Sequence, residues 1–199
     1  MTKDADDRRQ MFAARYASGE TPWDSGITPP EIIQILSELP PGAALDMGCG
    51  TGTVLRDLLA KGWQGDGIDF VPAAIELAAK KLAGFPTETW RVFCHDVTRL
   101  PELTDLREPY QLIIDIGCGH GLHGAAAEDY ARGLSELLAV GGVFMLYAAQ
   151  PRPESAMGWR PDFAKRLFCP PLRIVWRQDG DDAKLGAKSS WYRLERDSA

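Results

Sequence analysis

Three short stretches of this 199-residue chain combine residues that can bind charge or move protons. The first is ALDMGCGTGTVL, residues 44–55. A hydrophobic run ends at Asp46, then Gly48, Gly50 and Gly52 follow, and a helical pattern starts at once. Glycines suit a tight turn and let a ligand approach the backbone closely. The free N–H groups at the helix start then face that ligand. The second stretch, GIDF at 67–70, tips a strand with Asp69. An acid about 20 residues past a glycine loop can accept hydrogen bonds from both hydroxyls of an adenosine ribose. The third, DIGCGHG at 115–121, echoes residues 46–52 nearly letter for letter and carries Asp115, Cys118 and His120, with His123 just beyond.

The first loop does not read as a dinucleotide site. G-x-G-x-x-G would put its third glycine at 53, where Thr53 stands, and Gly52 comes one residue early. Asp46 would also repel a pyrophosphate, yet it could hold the ammonium of a methionine moiety. The expected ligand is therefore an adenosine bearing an amino acid, S-adenosyl-L-methionine, with S-adenosyl-L-homocysteine as product. The second loop is not expected to hold it, because the residues that follow, LSELLAV, form no acid-tipped strand. It is expected to face the acceptor. Asp115 or His120 could act there as general base, since histidine takes up a proton near neutral pH. The alternative is that both only shape the pocket. Cys118, His120 and His123 are crowded for three metal ligands, with no evident fourth, so no metal is expected. Cys49 and Cys118 could face each other across the two loops.

Apolar periodicity supplies the scaffold. Helices are expected at Asp4–Ala17 and after Thr28, with Pro29 and Pro30 in the first turn. Strands are expected at Ala43–Met47, Gln64–Phe70, Thr89–His95, Tyr110–Ile116 and Gly142–Ala149. Helices at Thr53–Lys61, Pro72–Ala83 and Ala125–Ala139 alternate with them. Gln150–Pro171 reads as irregular, with Trp159, Phe163 and Phe168 either lining an apolar acceptor pocket or filling core. Leu172–Gln178 and Ser189–Glu195 are separated only by the turn-like DGDDAKLGAKS, which suits an antiparallel edge hairpin. Strands alternating with helices mean a parallel sheet covered on both faces. The reversal of strand order would fall between the first and fourth strands, so both loops should open into one crevice.

Composition narrows the partners. The chain holds 28 acidic and 22 basic residues, a formal charge of −6. That balance argues against a nucleic-acid partner and against an anionic membrane surface. No secretory or membrane-spanning pattern is visible, and the four cysteines form no C-x-x-C pair, so a reduced, cytoplasmic protein is expected. It should be a monomer or weak homodimer acting on a small molecule.

On these residues the chain resembles the class I S-adenosylmethionine-dependent methyltransferases. DMGCGTG with Asp69 looks like their motif I and its acidic partner. The resemblance implies a Rossmann-like α/β fold: a doubly wound seven-strand sheet, mostly parallel, with a C-terminal antiparallel hairpin and helices on both faces. It implies an N-terminal helical cap at 1–41 and a core at 42–199. The third strand ends in CHDV, so Asp96 would bond the adenine amine and Val97 would shield the ring. TPWDSGITPPEI resembles the P-W-D-x-G segment of the small-molecule group, including the thiopurine and tellurite-resistance types. There the segment closes over the cofactor, which implies a place for Trp23 near it, with Tyr16 close by. The expected cofactor-binding set is Trp23, Asp46, Gly48, Gly50, Asp69, Phe70, Asp96, Val97, Ile116 and Gly117. Two departures bear on the acceptor. Gly119 replaces a bulky residue, which should widen the pocket, and Ile116 stands where arginine is common, which argues against an anionic acceptor. The expected reaction is methyl transfer to a thiol or other soft nucleophile. O- or N-methylation through Asp115 or His120 is the alternative, and cofactor binding without catalysis is a third reading.

Overall fold

The structure is a computed structural model that describes residues 3–153, 157–182 and 186–197. The sheet has seven strands in the order β3-β2-β1-β4-β5-β7-β6. Strands β1 (Ala43–Met47), β2 (Gln64–Asp69), β3 (Trp90–Cys94), β4 (Tyr110–Ile116) and β5 (Leu138–Ala149) run parallel. Strands β6 (Leu172–Asp182) and β7 (Ala187–Arg196) form the antiparallel edge hairpin, with β7 against β5. The reversal falls between β1 and β4, as the sequence suggested. Most of DGDDAKLGAKS is paired strand, and residues 183–185 lie outside the described residues. So do residues 1–2 and 198–199.

Side chains alternate between two cores, as a doubly covered sheet requires. On one face Leu45, Met47, Ile113, Phe144 and Leu146 pack under α5 (Gly124–Leu137) and α6 (Pro161–Phe168). On the other, Ala44, Leu112, Ile114 and Met145 meet α2 (Pro30–Glu38) and α3 (Thr53–Ala60). Helix α4 (Pro72–Leu82) adds Leu82 to this second core. Ile32, Ile35 and Leu36 of α2 are fully part of that core, whereas α1 (Lys3–Ser18) is largely polar and lies across α4.

Three local expectations change. The helix expected directly after Thr28 starts at Pro30, with Pro29 as its cap and not in its first turn, and Thr28 Oγ1 reaches the Thr53 carbonyl at 3.5 Å. Strand β5 starts at Leu138, not Gly142, with a register shift opposite Tyr110 and Leu112. The stretch read as irregular contains α6, which Pro161 starts at its first position.

At the far end of the sheet, the Asp66 side chain is completely buried. It accepts hydrogen bonds from the Tyr110 hydroxyl at 2.6 Å, the Arg107 N–H at 2.9 Å and the Arg107 guanidinium. Removing one partner of a buried pair strands the other charge. Arg107→Ala is therefore expected to lower the unfolding free energy by about 3 kcal/mol in urea titrations, with Arg91 at 3.4 Å from Asp66 limiting the loss. A loss within about 0.5 kcal/mol, the usual range for surface changes, would show that water solvates Asp66 instead.

Candidate active site

Strand register brings four acids to one edge. Met47 lies opposite both Ile68 and Asp115, and Asp69 lies opposite Cys94. Asp115, Asp46 and Asp69 thus stand at the tips of β4, β1 and β2, and Asp96 follows just past β3.

The two look-alike loops touch. Gly48 has φ +72°, and a Cβ there would come within 2.6 Å of Cys118 Cβ. Both conformation and contact therefore demand glycine. Gly48 and Cys49 donate N–H groups to the Ile68 carbonyl at 2.7 and 2.9 Å, which fixes the loop over β2. All four cysteines are free: Cys118 packs against Gly48, while Cys49 lies against Gly67.

The acids differ in their partners. Asp69 accepts the Gly50 N–H at 3.0 Å and the Val71 N–H at 2.9 Å, one on each oxygen. Burial raises its pKa, and those N–H groups partly oppose the rise. Asp96 Oδ1 takes both the Thr98 N–H and hydroxyl, capping the 3-10 turn Val97–Glu102, in which Val97 is buried. Asp46 is 3 % exposed and, among the described residues, receives no hydrogen bond on its carboxylate. Burial first, then the charges of Asp115 and Asp69, push its pKa up to about 8. An ionised carboxylate so placed calls for a cationic donor.

Asp115 and His120, the two candidate bases, are both held by hydrogen bonds. Asp115 is fully buried. It accepts the Cys118 N–H at 2.7 Å, the Gly119 N–H at 2.8 Å and the Tyr130 hydroxyl at 2.5 Å. Its pKa rises to about 6 through burial, against the pull of those donors. His120 is 6 % exposed, and burial lowers its pKa to about 4. Its Nδ1 lies 3.2 Å from the Ala149 N–H, which needs an acceptor there. That bond assigns the ring proton to Nε2, making His120 a neutral donor. Tyr130 carried no signal in the sequence, because its pairing with Asp115 arises only when α5 packs on the sheet.

On the acceptor side one expectation is overturned, and of the two readings of the aromatic stretch the core reading holds. Gly119 does not widen a pocket. A Cβ there would sit 2.7 Å from Asp115 Oδ2, 2.9 Å from Trp159 and 3.0 Å from Tyr130, so the space is already filled. Nor do Trp159 and Phe168 line an acceptor pocket: both are core residues, and Trp159 donates to the Leu122 carbonyl at 2.8 Å. Phe163 packs on Trp159 at 5.7 Å between ring centroids.

Helix α1 crosses the strand tips with one face, Arg8, Phe12 and Tyr16, spaced i, i+4, i+8. Arg8 donates to the Gly121 carbonyl in the second loop. The Phe12 and Phe70 ring centroids are 5.8 Å apart, and a Cβ on Gly50 would sit 3.2 Å from the Tyr16 hydroxyl. Trp23 stands behind this face, 43 % exposed, with its centroid 5.1 Å from that of Phe12 and its indole N–H 3.4 Å from the Tyr16 hydroxyl. The PWD segment is tied to the glycine loop elsewhere, through Asp24 to Thr51 at 2.5 Å, while Lys81 bonds Thr51 and Thr53 at 2.7 Å each. Ile116 and Gly117 are half-buried at the β4 tip, and Gly117 donates to the Tyr147 carbonyl at 3.1 Å. A surface cavity of about 510 Å³ between α5 and α6 includes none of the strand-tip acids.

A family described as a methyltransferase domain matches residues 45–144, the stretch from the β1 tip into β5. The chain belongs to that methyltransferase domain family. A probable thiol methyltransferase 2 of Arabidopsis thaliana is 32 % identical over 80 residues, 39 % of this chain and 35 % of that protein. The match thus spans about a third of the relative's length. The structure of the 1,6-didemethyltoxoflavin-N1-methyltransferase of Burkholderia thailandensis, with its substrate and S-adenosylhomocysteine bound, superposes at a TM-score of 0.80. It is 20 % identical and covers 98 % of this chain and 90 % of its own. A protein of the conversion of a disulfide bond into a thioacetal group in echinomycin biosynthesis superposes at 0.76, with 22 % identity and coverage of 95 % and 93 %. These two superpositions bear on the fold: the seven-strand methyltransferase sheet extends over nearly the whole chain. Among the described residues, no helix of this methyltransferase domain is long and apolar enough to cross a membrane.

Proposed function

We propose that this chain transfers the methyl group of S-adenosylmethionine to the sulfur of a small thiol. The residues suit the cofactor. Asp46, buried without a donor, would take the ammonium; Asp69 would take the ribose hydroxyls on its remaining lone pairs. Asp96 Oδ2, which has no donor among the described residues, would take the adenine amine beside Val97. Gly48, Gly50, Phe70, Ile116 and Gly117 would form the cradle around these contacts, with Trp23 buttressing it through Phe12 and Tyr16. When bound, S-adenosylmethionine supplies a sulfonium methyl group that is strongly electrophilic.

The observation that carries the acceptor class is the missing proton acceptor in the second loop. Asp115 already accepts three hydrogen bonds, and His120 Nδ1 is engaged. With these two candidate bases engaged, the acceptor best suited to the site is one that ionises by itself, as a thiol does near neutral pH. The chain's remaining task is alignment and water exclusion, and orientation alone can supply about 7–11 kcal/mol. The thiol methyltransferase relative supports the same class.

The test is S-adenosylhomocysteine formation with thiols, phenols and amines, with Asp69→Ala as control. Turnover on thiols, lost in Asp69→Ala, is the expected outcome. Turnover confined to phenols or amines would overturn the thiol reading and require a proton acceptor outside the second loop.

A further inference from the structure

Two side chains beside the second loop keep hydrogen-bond donors to spare, Arg8 and His120. Arg8 reaches the last residue of the 3-10 turn Gly119–Gly121, and His120 is the middle residue of the same turn. Arg8 is half-buried and spends one N–H on the Gly121 carbonyl. A guanidinium carries five N–H donors, and no carboxylate pairs with Arg8 among the described residues. His120, fixed by the Ala149 N–H, presents Nε2–H, and that atom has no partner among the described residues. Asp115 is sealed by the loop N–H groups and Tyr130, and the Asp182 carboxylate, whose charge also acts on His120, takes the Tyr147 hydroxyl. Burying a cation without a counter-charge is costly, so a half-buried arginine with no carboxylate partner among the described residues, on a helix that crosses the site, suits an anionic ligand.

We infer that Arg8 selects an anionic acceptor, a thiol that also carries a carboxylate, with the His120 Nε2–H as second donor. The thiol part rests on the proposed function; the carboxylate part rests on Arg8 alone. The inference reverses the expectation drawn from Ile116: the cation missing from the β4 tip is supplied from α1. It also gives α1 a role in specificity. A carboxylate bridging Arg8 and His120 would tie the helix to the second loop only when the correct acceptor is present. Planar, bidentate recognition of a carboxylate is what a guanidinium offers and an ammonium does not.

The test compares 3-mercaptopropionate, 2-mercaptoethanol and cysteamine as acceptors for the wild type, Arg8→Gln and Arg8→Lys. The wild type should prefer the acid, then the neutral thiol, then the amine. Arg8→Gln should raise KM for 3-mercaptopropionate by about 10–100-fold, the scale of a lost charge-assisted hydrogen bond. KM for 2-mercaptoethanol and for S-adenosylmethionine should change far less, by under about 3-fold, and Arg8→Lys should fall between. Equal losses on all three thiols would mean that Arg8 only holds α1 in place, and would overturn the inference. A second arm does not depend on turnover: calorimetric binding of 3-(methylthio)propionate to the protein loaded with S-adenosylhomocysteine. Binding that is lost in Arg8→Gln sustains the anion site even if no thiol is methylated, a result that would count against the thiol reading alone. Absence of binding to the wild type, or equal binding to both proteins, overturns the site.

Discussion

Asp46→Asn is expected to weaken S-adenosylhomocysteine binding by about 10²–10³-fold while making the ligand-free protein more stable at pH 8 by on the order of 3 kcal/mol. The two effects have one cause. The Asp46 carboxylate is buried between the glycine loops, takes no hydrogen bond among the described residues, and faces the charges of Asp115 and Asp69. Ionising it without a partner is unfavourable, which is why its pKa stands near 8. An ammonium placed against it turns the same charge into an attraction. Truncating one member of such a pair typically costs several kcal/mol, hence the fold-change.

The sign of the pH effect follows from linkage. In the unfolded chain Asp46 ionises near its ordinary value of 3.8, whereas in the folded protein it holds its proton to about 8. Between those limits the folded state binds more protons, so stability falls as pH rises through that window. Asp115, held near 6, adds to the slope in the lower part of the window. The gain from Asp46→Asn should therefore be largest near pH 8 and vanish toward pH 4. Urea unfolding at a series of pH values, with calorimetric titration of S-adenosylhomocysteine at pH 8, measures both. A variant that binds as tightly as the wild type would place the ammonium elsewhere.

What could be read from the sequence was local. The first loop announces itself because strand, glycines and helix lie within a dozen residues, and Asp69 follows at a spacing fixed by one helix and one strand. The apolar run Leu112–Ile114 marked β4, because a strand buried on both faces carries few polar residues. What escaped depended on distant partners. Gly119 looked like added space, yet Trp159 of the segment before α6 and Tyr130 of α5 fill it. Asp115 looked like a free base because its donors are backbone N–H groups of its own loop and a hydroxyl from the next helix. Helix α6 was hidden by the prolines and aromatics around it. Arg8 drew no attention in a polar helix, since only its crossing of the strand tips brings it to Gly121. The cofactor half of the site is thus built from sequence neighbours, and the acceptor half from residues that meet only in the folded chain.

The second large effect separates an anchor from a base. Asp115→Ala would leave the Cys118 and Gly119 N–H groups and the Tyr130 hydroxyl facing a cavity with no acceptor. Each such orphan costs about 1–3 kcal/mol, so a loss of about 4 kcal/mol is expected, a large share of a typical domain's stability. Tyr130→Phe removes one donor and keeps the carboxylate bonded to the loop, so it should cost only about 1–2 kcal/mol. Under an anchoring role, activity on thiols should fall with the loop's order in both variants, more steeply in Asp115→Ala. Raising the pH should not restore it, because the lost function is geometry. A catalytic base predicts the opposite pattern: Asp115→Ala would remain nearly as stable as the wild type, and its rate on thiols would recover at alkaline pH as the acceptor ionises unaided. Urea unfolding combined with pH–rate profiles decides between them. The four bonds already made by Asp115 and His120 favour the anchor, since a carboxylate fully buried under three donors of its own loop and α5 is spent on holding that loop closed.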